Sequence, residues 1–257
     1  MVDKYIKSNI CPLPWTSLEV DVNGGASPCC LYKGSVPDVK VYETNLKEIQ
    51  KHQYMEDLRT KFKNGEKPEG CSNCWAEEDA GKTSKRMNSI YKMKHSLTDW
   101  TPNSEPSLKF IDFKLGNVCN LKCRICGSWS SSKWAQEELD YGENPLARKN
   151  LIEGGWPKKQ PQFFDDIKDC LKDAEYFEFT GGEPFMNPNI LDHLREALSR
   201  GYRVLVLTNA MRPMLRHKGQ LLSLLKQYGK MLRIRVSIDH YTQELHDVER
   251  GDGSWNT

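Results

Sequence analysis

The chain has 257 residues, with 37 Lys and Arg against 35 Asp and Glu, a formal net charge of +2 and 28% charged residues. That length suits one large α/β domain with a smaller module, and the balanced charge carries no argument for nucleic acid. The opening MVDKYIKSNI lacks the apolar core of a signal peptide, and no 18-residue apolar run follows, so a cytoplasmic protein without membrane contact is expected.

From the N-terminus, TSLEVDV followed by NGG reads as a strand entering a hairpin turn, because Asn-Gly tolerates positive φ. NLKEIQKHQYMEDLRTKFKNG predicts a helix with Asn45 as N-cap, Glu48 as capping-box partner and a stop at Asn64-Gly65. A second helix is expected to begin near Cys74, and KTSKR (82–86) reads as a solvated helix face. This first part, residues 1–107, is expected to be a small α+β module with a thin core of its own, which a metal staple would help to fold.

SLTDWTPNSEPSLK (96–109) divides the chain, and strand and helix patterns alternate after it. Strands are expected at 109–115, 175–180, 203–209 and 232–239, with amphipathic segments at 128–139, 161–172, 189–200 and 215–228. Repeated βα units imply a parallel sheet, closed into a barrel or part of one, over residues 108–257.

Nine cysteines punctuate this plan. In a reducing compartment clustered thiols point to metal or catalysis. Cys170 lies at helical spacing from Phe163, Ile167 and Leu171 and reads as a buried structural thiol. The others form groups: Cys11, Cys29 with Cys30, Cys71 with Cys74, and the triplet Cys119, Cys123 and Cys126. The triplet's C-x3-C-x2-C spacing fits structural zinc poorly, since zinc asks for four ligands, but suits three corners of a cubane iron–sulfur cluster. The triplet, TGGEP (180–184), TNA (208–210) and SID (237–239) each follow a strand, on the edge where parallel α/β folds assemble their sites. On a bland reading Gly-Gly-Glu-Pro is a turn into a helix, Ser237 and Asp239 are helix caps, and Arg250 is a surface arginine.

The triplet after strand one, with Gly-Gly-Glu-Pro after strand two, resembles the radical SAM superfamily over residues 108–257. Ile125 departs from it, because an aromatic residue usually precedes the third cysteine. The resemblance implies a partial TIM-like (β/α) barrel of six units, of which four are visible. It implies that Cys119, Cys123 and Cys126 hold a [4Fe-4S] cluster whose open iron takes S-adenosylmethionine, cleaved to a 5′-deoxyadenosyl radical. Gly181 and Gly182 would lie against the methionine moiety, Glu183 would meet its ammonium, Ser237 and Arg250 its carboxylate, and Asn209 the ribose. SIDHYTQELHDVERGDGSW resembles the peptide- and protein-modifying branches.

CPLPWTSLEVDVNGGASPCC with GCSNCW resembles the SPASM and twitch modules of the same superfamily, with Cys11, Gly24 and Cys29 in their pattern. Cys29 is favoured over Cys30 as a ligand, and Cys71 and Cys74 complete a set of four. That set implies an auxiliary [4Fe-4S] cluster, while spacing alone also allows zinc. The resemblance further implies an electron donor such as flavodoxin or ferredoxin, and a peptide or protein substrate rather than nucleic acid. A small molecule or RNA as substrate, or a binding protein without turnover, are the alternatives. Two more βα units would need roughly 60 residues at about 30 each. The chain is therefore expected to be truncated or naturally short, with a fourth-strand edge that an oligomer or partner chain would cover.

Overall fold

The computed structural model describes residues 3–160, 163 and 172–256. Cys170 and most of the amphipathic segment 161–172 lie outside these described residues. The chain divides into two compact units. The first comprises the described residues up to Glu19, Gly25–Ile111 and the described residues of Ile167–Ala174; the second comprises Val20–Gly24 and the described residues of Asp112–Asp166 and Glu175–Thr257.

In the first unit, β1 (Ser17–Val20) and β2 (Ala26–Ser27) are neighbouring strands. The helix predicted from Asn45 to Asn64 is instead two, α1 (Leu46–Lys51) and α2 (Gln53–Lys63). His52 breaks it by taking ψ 141° and accepting from the Tyr54 N–H through Nδ1 at 3.1 Å, a second N-cap that replaces helix continuation. Asn45 caps α1 as expected by accepting from the Lys47 N–H at 2.9 Å. Among the described residues Glu48 makes no capping-box bond back. The stop at Asn64 holds, with Gly65 at φ +76°.

α3 (Ser72–Asp79) follows a single 3-10 turn, Glu69–Cys71, and α4 (Lys85–Lys92) starts at Ser84, whose Oγ accepts from the Met87 N–H. The expected thin core is corrected here. Trp15, Phe62, Trp75 and Trp100 pack with Tyr5, Leu13, Leu58 and Ile90, and the Tyr5–Trp100 and Trp15–Trp100 rings meet edge-on at 5.1 and 5.5 Å. Trp100 comes from the stretch that looked like a divider, so no periodicity announced its burial. Edge-to-face pairs add about 0.5–1.5 kcal/mol each beyond area burial.

The second unit is α/β. β3 (Phe110–Lys114), β4 (Tyr176–Thr180), β5 (Arg203–Thr208) and β6 (Leu232–Val236) lie in that order, and the β4–β5 and β5–β6 pairs are parallel. All four fall where the sequence predicts, trimmed at the ends. One sheet face carries Phe113, Phe177 and Phe179, mutually stacked at 5.9–6.2 Å, with Val204 and Val206. α7 (Ile190–Ser199) contacts β5 and buries Ile190, Leu191, Leu194, Ala197 and Leu198. The helices around it are α5 (Ser132–Asp140), α6 (Pro145–Glu153), α8 (Lys218–Tyr228) and α9 (Gln243–Arg250). α6 was not predicted; Asn144 caps it by accepting from the Ala147 N–H, with Pro145 at its first position. No helix among the described residues is long and apolar enough to cross a membrane.

Candidate functional site

The loop that leaves β3 is fixed at both ends by one side chain. Asn117, 1% exposed, donates from Nδ2 to the Ser128 and Asn150 carbonyls at 3.0 Å each, while its own carbonyl accepts from the Ser132 N–H at 2.7 Å. Between these ties lie the three cysteines. Cys119 Sγ accepts from the Leu121 N–H, the Cys123 carbonyl accepts from Cys126 N–H and from Trp134 Nε1–H, and Arg124 N–H bonds the Glu249 carbonyl of α9. Burial raises Cys119 to about 11, with Glu183 and Cys123 adding to the rise. The thiols of Cys123 and Cys126 interact with each other, which raises the first and lowers the second. Three soft donors facing one another in a half-buried loop fit an iron–sulfur cluster. Ile125 is 70% exposed beside them.

The segment after β4 is laced to this loop. Gly182 N–H bonds the Gly116 carbonyl at 3.0 Å and Glu183 N–H the Val118 carbonyl at 2.9 Å. A Cβ on Gly181 would stand 2.7 Å from the Gly116 carbonyl oxygen, and one on Gly182 would stand 2.4 Å from that of Val118. The close approach these glycines permit is thus to the chain's own backbone, with Gly181 also at φ +86°. Glu183, 3% exposed, accepts from Thr208 Oγ1–H and Phe185 N–H on Oε1 and from Asn209 N–H on Oε2, at 2.8, 3.1 and 2.8 Å. Burial lifts its carboxyl above the ordinary range, against the pull of these bonds and of Arg250.

The remaining predicted residues sit on the same rim. Asn209 donates from Nδ2 to Asn120 Oδ1 at 2.9 Å, which ties the end of β5 to the triplet loop. Ser237 follows β6, its N–H bonded to the Thr208 carbonyl. Arg250 is not a surface residue: it is 6% exposed, its Nε stands 2.8 Å from Asp239 Oδ2, and its charge reaches Cys123, Cys126 and Glu183. Asp239 is therefore an ion-pair partner, and the cap position of α9 falls to Thr242. Asn117, Asn150 and Trp134 were missed by sequence reasoning, since nothing about them but burial sets them apart.

A second thiol group lies wholly in the first unit. Cys11, Cys29, Cys71 and Cys74 line one cavity with Leu13, Tyr32, Phe62, Trp75, Lys85 and Arg86. Cys30 is exposed and is not part of that lining. Burial raises Cys11 well above its ordinary value, and Cys29 and Cys71 to about 12, with mutual repulsion among the group adding to each. Thiols that feel one another in an apolar wall fit a four-thiolate metal centre. Among the described residues no three His, Cys, Asp or Glu side chains converge on a point that one ion could take.

Arg86 corrects the reading of KTSKR as a solvated face. It is 3% exposed: Nη1 donates to the Tyr5, Ser8 and Ile10 carbonyls at 2.8–2.9 Å, Nη2 to the Ile6 carbonyl, and Nε and Nη2 fork onto Glu78 at 2.9 and 2.6 Å. The clamp ends one residue before Cys11. Burial works to raise Glu78, but bonds from Arg86 and Ser84 outweigh it and hold its carboxyl low.

Comparisons with known proteins bear on the same segments of the chain. The family described as the radical SAM superfamily matches residues 113–257, and an iron–sulfur cluster-binding domain, SPASM, matches residues 11–75. The antilisterial bacteriocin subtilosin biosynthesis protein AlbA of Bacillus subtilis (strain 168) is 30% identical over 159 residues, 62% of this chain and 30% of the relative. Streptococcus suis SuiB bound to S-adenosylmethionine is 14% identical, with TM-score 0.35, over 79% of this chain and 40% of that one. SuiB bound to precursor peptide SuiA is 14% identical, with TM-score 0.34, over 71% and 40%. The chain thus spans well under half the length of each of these relatives. With the superfamily match covering more than half of its residues, and the rim motifs gathered around one cysteine loop, the chain belongs to the radical SAM superfamily.

Proposed function

We propose that this chain carries the cofactor-binding part of a radical SAM enzyme that acts on a peptide or protein. The observation that carries the reading is the rim of the second unit, where Cys119, Cys123, Cys126, Glu183 and Arg250 lie within electrostatic reach of one another. The triplet would hold a [4Fe-4S] cluster, which when bound with S-adenosylmethionine supplies one-electron cleavage of the sulfonium to a 5′-deoxyadenosyl radical.

The chain's own groups do the holding. Glu183, fixed by Thr208, Phe185 and Asn209, presents negative charge for an ammonium group. Arg250, braced by Asp239, offers positive charge toward a carboxylate, and Ser237 and Asn209 flank the same edge. Gly181 and Gly182 keep the loop after β4 pressed on the cysteine loop, which sets the floor of the site.

In the first unit Cys11, Cys29, Cys71 and Cys74 would hold an auxiliary [4Fe-4S] cluster; four protein thiolates close it to substrate and favour electron relay. A peptide substrate is supported by the kind of protein this chain resembles: AlbA is named for bacteriocin biosynthesis, and SuiB has been seen with a precursor peptide. The reading further takes a cytoplasmic setting, with an electron donor such as flavodoxin or ferredoxin to supply the single electron.

The test is anaerobic reconstitution followed by reduction with S-adenosylmethionine. The wild type should hold about two clusters and release 5′-deoxyadenosine, and the Cys119→Ala/Cys123→Ala/Cys126→Ala protein should hold about one and release none. Continued release by the triple variant would sink the assignment.

A further inference from the structure

The sheet face opposite the phenylalanine stack is charged. Strand register sets Tyr176 beside Arg203, Glu178 beside Leu205, Leu205 in turn beside Arg233, and Leu207 beside Arg235. A parallel sheet covered on both faces reads as continuous apolar strands. RVLVLT of β5 comes close to that, whereas LRIRV of β6 alternates, with both arginines exposed. Among the described residues neither the Arg233 nor the Arg235 guanidinium makes a hydrogen bond or an ion pair. Glu178, the acid in their row, is bonded by the Tyr176 hydroxyl at 3.1 Å, and Arg203 lies over the Tyr176 ring at 5.8 Å. Burial and then Glu178 raise the Tyr176 phenol, while Arg235 and Arg233 pull it back, so both guanidinium groups act across this face. The same strand runs on to Ser237 and Asp239 at the rim.

We infer that Arg233 and Arg235 form a recognition subsite for an extended peptide with carboxylate side chains at alternate positions. This rests on the peptide-substrate reading and names a class of substrate within it. Residues i and i+2 of a strand stand about 6.6–6.8 Å apart on one face, the same spacing as alternate side chains of an extended peptide. Each guanidinium offers a planar fork that takes a carboxylate bidentately. β6 is the last strand in the sheet order, so its arginine face has no further strand beside it among the described residues. Nucleic acid fits less well: the net charge is only +2, and two arginines on one strand are a short footprint for a phosphate chain.

The test is fluorescence anisotropy at low salt on the reconstituted full chain. The probes are a labelled Ser-Glu-Ser-Glu-Ser-Glu peptide, its Ser-Gln counterpart and hexathymidylate. The Glu peptide should bind about tenfold tighter than the Gln peptide, and Arg233→Gln/Arg235→Gln should erase the difference. Arg233→Glu/Arg235→Glu should instead prefer a Ser-Lys peptide, an inversion that a misfolded protein would not give. Equal binding of the Glu and Gln peptides overturns the subsite, as does a double variant that keeps the preference, or hexathymidylate outcompeting the Glu peptide. Release of 5′-deoxyadenosine by the wild type is measured apart: its loss with Glu-peptide binding intact removes the enzyme reading alone, and the converse removes the subsite alone.

Discussion

With both oxygens of Glu183 already accepting from Thr208, Phe185 and Asn209, exchanging the carboxylate for an amide puts an N–H donor opposite another donor. Glu183→Gln should therefore weaken S-adenosylmethionine binding by about 1.5–3 kcal/mol, the range for a hydrogen bond to a charged group. It should also lower the melting temperature of the second unit; equilibrium dialysis and calorimetry read the two effects separately, and unchanged affinity would mean the carboxylate does not face the cofactor. Arg86→Lys addresses the other site. A lysine keeps the charge but cannot span four carbonyls and Glu78, so a buried network is left open at a cost of about 3–5 kcal/mol. Urea unfolding should show that loss, and iron analysis should show the first unit's metal content falling while the second unit's stays. At this scale the sequence was legible wherever chemistry marks a residue. Glu183 and the cysteines stand out by type and spacing, whereas Arg86 reads as one more lysine-rich surface position, because nothing local reports four carbonyls that lie 76–81 residues away.

Secondary elements were easiest to read where two signals agree. β5 and α7 combine apolar period with a Gly201 stop at φ +82°, and both appear where expected. The break at His52 and the unpredicted α6 show the converse. A histidine acting as an N-cap, and a helix whose buried side is only Ala147 and Asn150, give periodicity too little to work with. The link between the post-β4 segment and the cysteine loop depends on bare backbone contact, which supplies a test at the level of the loop. In Gly182→Ala the new methyl meets the Val118 carbonyl oxygen at 2.4 Å, and backbone must yield. Overpacking of this kind costs roughly 1–3 kcal/mol. Iron bound by the second unit should drop while the first unit's is kept, as read by iron analysis of Gly182→Ala made in a Cys71→Ala/Cys74→Ala background and in the wild type. Full iron in both would show that the contact has no bearing on the cluster loop.

Across the whole molecule, a change of pattern near residue 100 was visible in the sequence, from clustered cysteines to alternating strand and helix segments. The aromatic core of the first unit was not, since Tyr5, Trp15 and Trp100 come from short or irregular segments. That core should let the metal-free first unit persist, and its thiols then make stability depend on pH. Cys11, Cys29 and Cys71 are held above their ordinary range when folded, against about 8.5 in the unfolded chain. The unfolded state therefore loses its protons first: stability is fully present below about pH 8.5 and falls as pH rises toward the folded values near 12, by up to about 1.4 kcal/mol per pH unit for each thiol. Metal-free protein should melt at lower temperature at pH 9.5 than at 7.5, and Cys29→Ala/Cys71→Ala should flatten the difference. The metal-loaded form, with its thiolates already ligated, should show neither change; a loss equal in all three proteins would place its source elsewhere.

The Arg86 clamp also sets a clock on synthesis. Cys11 leaves the ribosome early, but the guanidinium that gathers the carbonyls before it, that of Ile10 among them, is encoded 76 residues later. At about 5–20 residues per second, that leaves the thiol unprotected for roughly 4–15 s in every nascent chain. Ribosome-stalled chains ending before residue 86 should accordingly alkylate quickly at Cys11, and chains stalled well past residue 100, with Trp100 able to close the core, should resist.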